Sequence, residues 1–283
     1  MEPRKRSKPD WLKIRLPGGK EYLNVRDIVN QHKLHTICTS GQCPNMCDCW
    51  GRGTATLMIL GDICTRSCKF CAVASGKPEP ADHNEPKRVA GSVKLMKLKH
   101  CVLTSVDRDD LEDGGAGIWA ATIRAIKELN PQTTIEALIP DFQGNMELLD
   151  IVIDAGPEVV SHNLETVRRL TPQIRSVANY DTSLGVIEHI SGTAARSKSG
   201  IMVGLGELER EVLETMDDLR SVECKVFTIG QYLQPSYKHH PVIEFVSPEK
   251  FERYRRKGLE KGFSFVESGP LVRSSYHAEK HVG

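Results

Sequence analysis

One stretch of the chain reads Thr54-Ala-Thr-Leu-Met-Ile-Leu-Gly-Asp-Ile-Cys64-Thr-Arg-Ser-Cys68-Lys-Phe-Cys71. The apolar run at its start, residues 54–60, has the length and composition that predict a buried strand. Three cysteines at C-x3-C-x2-C spacing follow after only Gly-Asp-Ile. In β/α folds the chemistry lies on loops that follow the carboxyl ends of strands. We therefore expect these cysteines at the functional end of a parallel sheet.

The rest of the chain alternates between apolar runs and helical patterns. Further strands are predicted at residues 100–106, 134–139, 158–162, 199–204, 225–230 and 263–266. Helical periodicity occupies residues 117–129, 147–155, 208–222 and 248–261. Such a succession predicts an α/β fold with a parallel sheet. With about six units, fewer than a complete barrel contains, the pattern favours a partial, open β/α barrel.

A second group of cysteines, Cys38, Cys43 and Cys49, has C-x4-C-x5-C spacing. A cubane four-iron cluster is normally held by four thiolates, so each triplet is one ligand short. At the C-x3-C-x2-C triplet, the open iron is available to a small molecule that reacts at the metal. At the C-x4-C-x5-C triplet, an unusual protein ligand can complete the site.

Zinc and disulfides explain the cysteines less well. Structural zinc sites use four ligands in paired spacings, and neither triplet has a nearby fourth Cys or His at such a spacing. A disulfide framework suits short secreted chains, whereas this chain has 283 residues and nine cysteines, an odd number. Cys101 and Cys224 are interpreted as buried apolar residues. Cys47 has the same interpretation, but it lies inside the second triplet and could compete for iron.

The composition is that of an ordinary globular protein. Hydrophobic residues make up 39% of the chain and charged residues 27%, and the net charge is +1. No charge field indicates nucleic acid, and apolar runs such as residues 148–153 are too short to span a bilayer. The basic residues 1–8 lack a following apolar core, so they do not predict a signal peptide. We expect a reducing, cytoplasmic location with neither nucleic-acid nor membrane partners.

Four further motifs stand beside the two triplets: Thr104-Ser-Val-Asp-Arg-Asp-Asp-Leu, His162-Asn-Leu-Glu-Thr-Val, Gly230-Gln-Tyr-Leu-Gln-Pro-Ser and Arg273-Ser-Ser-Tyr. The C-x3-C-x2-C triplet, with an aromatic residue before its last cysteine, is typical of radical S-adenosylmethionine (SAM) enzymes. Together with the other motifs, it resembles the lipoyl synthase family of that superfamily. The resemblance covers nearly the whole chain, from Pro9-Asp-Trp-Leu-Lys to His277-Ala-Glu.

The resemblance implies two [4Fe-4S] clusters and SAM as cofactors. The cluster on Cys64, Cys68 and Cys71 would bind SAM at its open iron, and one electron would cleave SAM to a 5′-deoxyadenosyl radical. That radical would remove hydrogen from an octanoyl chain on a carrier lysine, and sulfur would enter at the sixth and eighth carbons. Such C–H bonds are not acidic, so the step needs the cofactor rather than a general base.

The resemblance also implies which residues contact SAM. Phe70 would lie near the adenine, and Ser105 or Arg175 would reach the methionine end. Asn163 and Glu165 would hydrogen-bond the ribose hydroxyls, because their donors and acceptors suit a diol. A strand-end cap or a surface salt bridge remains the alternative for that pair.

Two other polar groups have no assigned role. The acidic run at residues 107–113 suits a solvated loop as well as a site. His239 and His240 are expected to be surface histidines in a proline-containing loop.

The second cluster resembles the family's sulfur source, with a serine of the Arg273-Ser-Ser-Tyr motif as its fourth ligand. A serine oxygen is harder than a thiolate, so its iron should be released readily when the cluster gives up sulfide. We assign this ligand to Ser275, with Ser274 close behind, because neighbours in an extended segment face opposite ways. Residues 1–53 then carry the auxiliary-cluster cysteines, residues 54–269 form the partial barrel, and residues 270–283 form a C-terminal segment.

The resemblance further implies protein partners. These are octanoylated lipoyl carrier domains (2-oxoacid dehydrogenase E2 subunits and the glycine cleavage H protein), a reductant such as flavodoxin or ferredoxin, and an iron–sulfur cluster carrier. Two alternatives stay open. A methylthiolating radical SAM enzyme also needs two clusters, but it usually adds an RNA-binding module and a basic surface. A non-enzymatic electron carrier needs two closed four-cysteine clusters in a short chain.

Overall fold

The computed structural model describes residues 9–13, 23, 26–27, 36, 45–51 and 54–282. Two predicted cluster ligands, Cys38 and Cys43, lie outside these residues, and so does the side chain of Cys47. The predictions that concern them therefore stay predictions.

A seven-stranded sheet forms the centre of the described chain, and all its neighbouring strands are parallel. In spatial order its strands are β1 (Thr54–Ile59), β4 (His100–Ser105), β5 (Thr134–Leu138), β6 (Val159–Ser161), β7 (Arg196–Val203), β8 (Val226–Gln231) and β9 (Phe265–Gly269). A separate ribbon pairs β2 (Ile63–Cys64) with β3 (Ala74–Ser75). Because β1 and β9 stand at opposite ends of this order, the described strands form no closed barrel. The predicted open α/β architecture is confirmed.

Helices connect the strands and pack beside one another in chain order. They are α1 (Met46–Gly51), α2 (Glu85–Met96), α3 (Ala116–Leu129), α4 (Met146–Ile153), α5 (Thr171–Ile174), α6 (Tyr180–Ser191), α7 (Glu209–Ser221) and α8 (Pro248–Glu260). Short 3₁₀ helices span Asp10–Leu12, Phe142–Gly144 and Ala278–His281. None of the helices in the described ranges has the length and apolarity that crossing a bilayer requires.

The apolar strands account for the core. Every residue of β1, β8 and β6 is buried, as expected of parallel strands covered on both faces. The predicted helices correspond to α3, α4, α7 and α8, whereas α2 and α6 were not predicted. Each contains an interior glycine, Gly91 in α2 and Gly185 in α6, which lowers the intrinsic helix propensity, so packing contributes much of their stability.

Candidate active site

A cavity of about 320 Å³ opens at the carboxyl ends of the strands. Residues from the ends of β1, β4, β5, β7 and β8 reach it, together with the loop between β2 and β3. Its wall contains all the residues that the sequence predicts for the first cluster and for SAM: Cys64, Cys68, Cys71, Phe70, Ser105, Asn163, Glu165 and Arg175. The structure thus brings these side chains together, and their contacts with cofactors stay predictions.

The loop at residues 64–75, called the cysteine loop below, is closed by the pairing of β2 with β3. Two histidines hold it from outside. The carbonyl oxygen of Cys71 accepts from Nε2 of His239 at 2.9 Å, and that of Lys69 accepts from the backbone N–H of His240 at 2.9 Å. Both histidines are partly exposed, as expected of surface residues, but each also packs against this loop.

Two thiols of the cysteine loop, those of Cys64 and Cys71, are strongly biased towards their neutral form when no cation is near. Burial raises the pKa of Cys64 to about 11, and the Asp107 carboxylate adds to the shift. Burial raises the pKa of Cys71 to about 12, with further contributions from the neighbouring Cys68 and Cys64. A metal ligand must be a thiolate, and bound iron supplies the positive charge that permits ionisation. The donor set therefore fits an iron–sulfur cluster.

A site for a single metal ion requires side chains that converge on one point, which an iron–sulfur cluster does not require. Within the described ranges, no group of three His, Cys, Asp or Glu side chains is arranged to hold one metal ion. In a cubane each thiolate binds a different iron, so its sulfur atoms need not converge on one point.

Arg66 lies between two cysteines of the loop and lines the cavity, and the sequence did not predict it as a site residue. Its guanidinium, only 4% exposed, makes two bonds to Asp109, both at 2.7 Å, and two to Asp141 at 2.8 and 2.9 Å. A carboxylate oxygen of Asp107 lies 3.4 Å from Nη1. Removing one partner from such a buried pair costs about 3–5 kcal/mol. Arg66 therefore fixes the cysteine loop to the ends of β4 and β5.

The three carboxylates around Arg66 differ in their ionisation. Burial alone would raise the pKa of Asp141, but the hydrogen bonds and charge of Arg66 lower it to about 2. The pKa of Asp109 is also lowered, chiefly by its bonds to Arg66. Burial raises the pKa of Asp107, whose carboxylate lies 3.5 Å from the Cys64 sulfur. Asp107 thus lines the cavity and Asp109 holds Arg66, whereas Asp110 and Glu112 of the same acidic run are exposed to solvent.

Asn163 and Glu165 form a polar pair on the cavity wall. Nδ2 of Asn163 donates to Oε1 of Glu165 at 3.1 Å, whereas Oδ1 of Asn163 is buried and has no partner in the described chain. Burial raises the pKa of Glu165, whose φ of 67° is held by backbone bonds to β7. A Cβ at Gly200 would overlap Thr228 and lie 3.0 Å from Asn163 Oδ1, so glycine is required there. An unsatisfied buried acceptor is expected where a ligand supplies the donor.

Arg175 is oriented by a chain of hydrogen bonds. Nη1 of Arg175 donates to Oγ of Ser183 at 2.7 Å, and that hydroxyl donates to Nε2 of His162 at 3.0 Å. Nδ1 of His162 donates to the carbonyl of Ile139 at 2.9 Å, which fixes the tautomer. Burial, then the charge of Arg175, lowers the pKa of His162 to about 4, so the ring is neutral near pH 7. The guanidinium consequently faces the cavity in a defined orientation.

Ser105 and Phe70 have simpler surroundings. Oγ of Ser105 accepts from the indole N–H of Trp119 at 3.3 Å, and the ring of Phe70 packs beside the apolar core of β7 and β8. Ser105 retains its hydroxyl hydrogen as a donor for a ligand.

The C-terminal segment also reaches the cavity. Val272, Arg273 and Ser274 line it, and Ser275 does not. Tyr276 N donates to the carbonyl of Arg273 at 2.9 Å, so the four-residue motif forms a turn. The extended segment assumed in the sequence analysis is therefore wrong, and alternation of side chains gives no preference between the two serines.

Helix α1 brings part of the second triplet to the same segment. Asn45, just before α1, donates from Nδ2 to the carbonyl of Leu271 at 2.6 Å. Cys49, inside α1, is 8% exposed and belongs to the core cluster on which Tyr276 packs. The described member of the second triplet thus lies on a helix that is bonded to the serine-bearing segment.

Comparisons with known proteins agree with this arrangement. The model of the Radical SAM superfamily matches residues 58–219. The lipoyl synthase of Bacteroides thetaiotaomicron is 65% identical over 275 residues, covering 97% of this chain and 98% of that one. The mitochondrial lipoyl synthase of Nematostella vectensis is 59% identical over 281 residues, covering 99% and 97%.

Solved structures show a similar fold at low identity. Methylornithine synthase has a TM-score of 0.56 at 13% identity, covering 88% of this chain and 78% of its own. HydG, a maturase of the [FeFe]-hydrogenase, has a TM-score of 0.55 at 13% identity, covering 92% and 71%. These structures bear on the fold alone. Because the sequence relatives match over almost their full length, the chain belongs to the lipoyl synthase family of the radical SAM superfamily.

Proposed function

We propose that this chain inserts sulfur at the sixth and eighth carbons of a protein-bound octanoyl-lysine and takes that sulfur from a second four-iron cluster. Family membership makes it an enzyme, a radical SAM sulfurtransferase, with a [4Fe-4S] cluster and SAM as cofactors. One observation carries the finer proposal. A single cavity gathers the C-x3-C-x2-C triplet, the Asn163–Glu165 pair and Ser274 of the C-terminal segment.

The first cluster would be held by Cys64, Cys68 and Cys71. When bound and reduced, this cluster with SAM supplies a radical that can remove hydrogen from an unactivated carbon. The unpartnered Oδ1 of Asn163 accepts from a ribose hydroxyl, and Glu165 accepts from the other. Arg175, already oriented by Ser183, offers its remaining donors to a carboxylate.

The remaining cavity wall suits an acyl chain. Between the polar groups it is lined by apolar side chains: Met58, Val106, Leu138, Ile139, Ile201, Met202 and Val272. Pockets of this kind bind apolar ligands through buried surface and use a few polar groups for orientation. The same side chains exclude water and hydrogen donors that would quench a radical.

The second cluster would be held by Cys38, Cys43, Cys49 and, as fourth ligand, Ser275. Support comes from the bond between Asn45 and Leu271, because it attaches the helix that contains Cys49 to the segment that contains the serines. A cluster with one oxygen ligand suits a sulfur donor, since that iron is released more easily than one bound by thiolate. Ser274, which faces the cavity, is the neighbouring candidate.

Partners follow from the proposed reaction. The lysine-linked substrate requires octanoylated carrier domains, and we propose the E2 subunits of 2-oxoacid dehydrogenases and the glycine cleavage H protein. Reduction of the first cluster requires a donor such as flavodoxin or ferredoxin. A consumed second cluster requires an iron–sulfur cluster carrier. A cytoplasmic location belongs to the same proposal, with bacterial relatives as its support.

The iron content tests the two-cluster proposal. After anaerobic reconstitution we expect about eight iron and eight sulfide per chain. Changing the C-x3-C-x2-C triplet to alanine should leave about four of each, and so should changing the C-x4-C-x5-C triplet, because either change removes one cluster. Changing Cys101 and Cys224, both buried in the core, to serine provides a control that removes thiols without removing a cluster. Four iron in the unaltered protein would contradict the second cluster.

A further inference from the structure

The C-terminal segment, residues 270–282, connects the two ends of the sheet. Its first part lines the cavity at the carboxyl ends of the strands through Val272, Arg273 and Ser274. Its last part, the 3₁₀ helix Ala278–His281, lies at the opposite end. Ser274 and Ser275 lie between these two contacts, so the position of the serines depends on both of them.

The position of the 3₁₀ helix is defined by its contacts. Nη1 of Arg196 donates to the carbonyl of His281 at 2.8 Å, and the Phe265 ring makes an edge contact with the His281 ring, with centroids 5.6 Å apart. The Thr54 hydroxyl donates to Glu279 at 3.5 Å. Arg196, Phe265 and Thr54 are the first residues of β7, β9 and β1. The helix therefore covers the amino-terminal end of the sheet.

A buried ion pair binds the 3₁₀ helix through His281. Nζ of Lys198 lies 2.8 Å from Oε2 of Glu136, and both side chains are fully buried. Ser161 donates to the other oxygen of Glu136 at 3.0 Å, and Nζ of Lys198 also donates to Nδ1 of His281 at 3.3 Å. An ammonium has three donors, so a buried lysine needs such acceptors. His281 supplies one of them from the end of the chain.

The protonation of His281 agrees with this role. Burial, with the charge of Lys198 next, lowers the pKa of His281 to about 2, so the ring is neutral and Nδ1 can accept. Its Nε2 has no partner in the described chain. The acceptor at Nδ1 and the buried ring are thus the features through which His281 holds the segment.

The upper end of the segment is held by close backbone packing. A Cβ at Gly230 would overlap the carbonyl of Val272, so the absence of a side chain at residue 230 lets the segment approach β8. Asn45 bonds the neighbouring Leu271. The turn with Ser274 and Ser275 lies between this contact and the His281 anchor.

We propose that His281 is a positioning residue for the second cluster: by fixing the end of the C-terminal segment to Lys198, it keeps the serine ligand at its iron. This inference rests on the proposed function. It assigns a role at the sulfur-donating site to a residue at the opposite end of the sheet. We expect loss of the anchor to leave the cysteine loop unchanged, because that loop is held by Arg66, His239 and His240 rather than by the C-terminal segment.

Two substitutions distinguish the hydrogen-bond acceptor of His281 from the volume of its side chain. His281→Leu puts an apolar side chain of similar size in place of the ring and removes the acceptor, whereas His281→Asn restores an acceptor near the position of Nδ1. In the cluster-free protein, we expect amide hydrogen exchange of residues 272–282 to accelerate about tenfold or more in His281→Leu, because a buried donor loses its partner. In the reconstituted protein, chelators should remove the second cluster's iron faster. Lys280→Ala, on the exposed face of the same turn, is the matched control.

Activity then gives a second readout. His281→Leu should form 5′-deoxyadenosine at an ordinary rate and lose most sulfur insertion, with His281→Asn close to the unaltered protein. Unchanged exchange and iron release in His281→Leu would overturn the proposal, as would equal losses of SAM cleavage and sulfur insertion. If the unaltered protein inserted no sulfur, the proposed function would fail, whereas the exchange measurement would still decide whether His281 anchors the segment.

Discussion

Cys68→Ala is expected to abolish SAM cleavage, with 5′-deoxyadenosine formation reduced by more than about a hundredfold. Among the residues that the structure describes, Cys64, Cys68 and Cys71 are the cysteines on the cavity wall, so no further thiol is seen there to replace one of them. Without Cys68, two thiolates cannot retain a cluster with one iron open to SAM. Anaerobic turnover with a strong chemical reductant, followed by chromatography of 5′-deoxyadenosine, measures the effect.

Substitutions elsewhere in the cysteine loop and in the second triplet provide controls for this result. Ser67→Ala changes an exposed side chain in the same loop and should cleave SAM at an ordinary rate. Cys49→Ala and Cys43→Ala affect the second triplet, so they should also form 5′-deoxyadenosine while losing sulfur insertion. Ordinary SAM cleavage by Cys68→Ala, or lipoyl product from Cys43→Ala at an ordinary rate, would show that the two triplets have been assigned to the wrong roles.

Ser275→Cys is expected to retain the second cluster and to lose most sulfur insertion, by about tenfold or more. A fourth thiolate closes the cubane and binds its iron more firmly than an alkoxide does, so sulfide is released less easily. Iron analysis and mass spectrometry of the product check the two halves of this expectation. SAM cleavage serves as an internal control, because Ser275 does not line the cavity of the first triplet.

Companion variants decide between the serines. Ser275→Ala should leave an open site that loses iron, whereas Ser274→Ala should keep its cluster. The opposite pattern would move the ligand to Ser274, whose side chain lines the cavity. Cys47→Ala should behave like the unaltered protein, and loss of iron in that variant would make Cys47 the fourth ligand in place of a serine.

Much of the fold follows from local pattern. Strands such as β1 and β8 are short apolar runs, and a parallel sheet buries such runs on both faces, so composition and length suffice to find them. Helix α6 was not predicted, because Gly185 and several β-branched residues lower its intrinsic helix propensity. Its N-cap was a usable signal, since Asn179 accepts from the N–H groups of Asp181 and Thr182.

The site was predicted only where a motif marks it. The spacing of the cysteines identified the loop, but Arg66 within it gave no sign of its role. Its partners Asp109 and Asp141 lie 43 and 75 residues further along the chain, and only the folded sheet brings them together. The bond between His239 and Cys71 was not predicted for the same reason, because it spans 168 residues. The turn at Arg273 likewise follows contacts between distant parts of the chain, such as that of Leu271 with Asn45, which a local sequence pattern does not predict.

The most direct test of the account is mass spectrometry of an octanoylated carrier domain after a single turnover. The protein is reconstituted with isotopically heavy sulfide and supplied with SAM and reductant, but with no other source of sulfur. The account predicts a lipoyl product in which both sulfur atoms carry the heavy isotope, together with loss of the second cluster. An octanoyl chain left without sulfur while SAM is cleaved, or a product that carries a methylthio group, would contradict it.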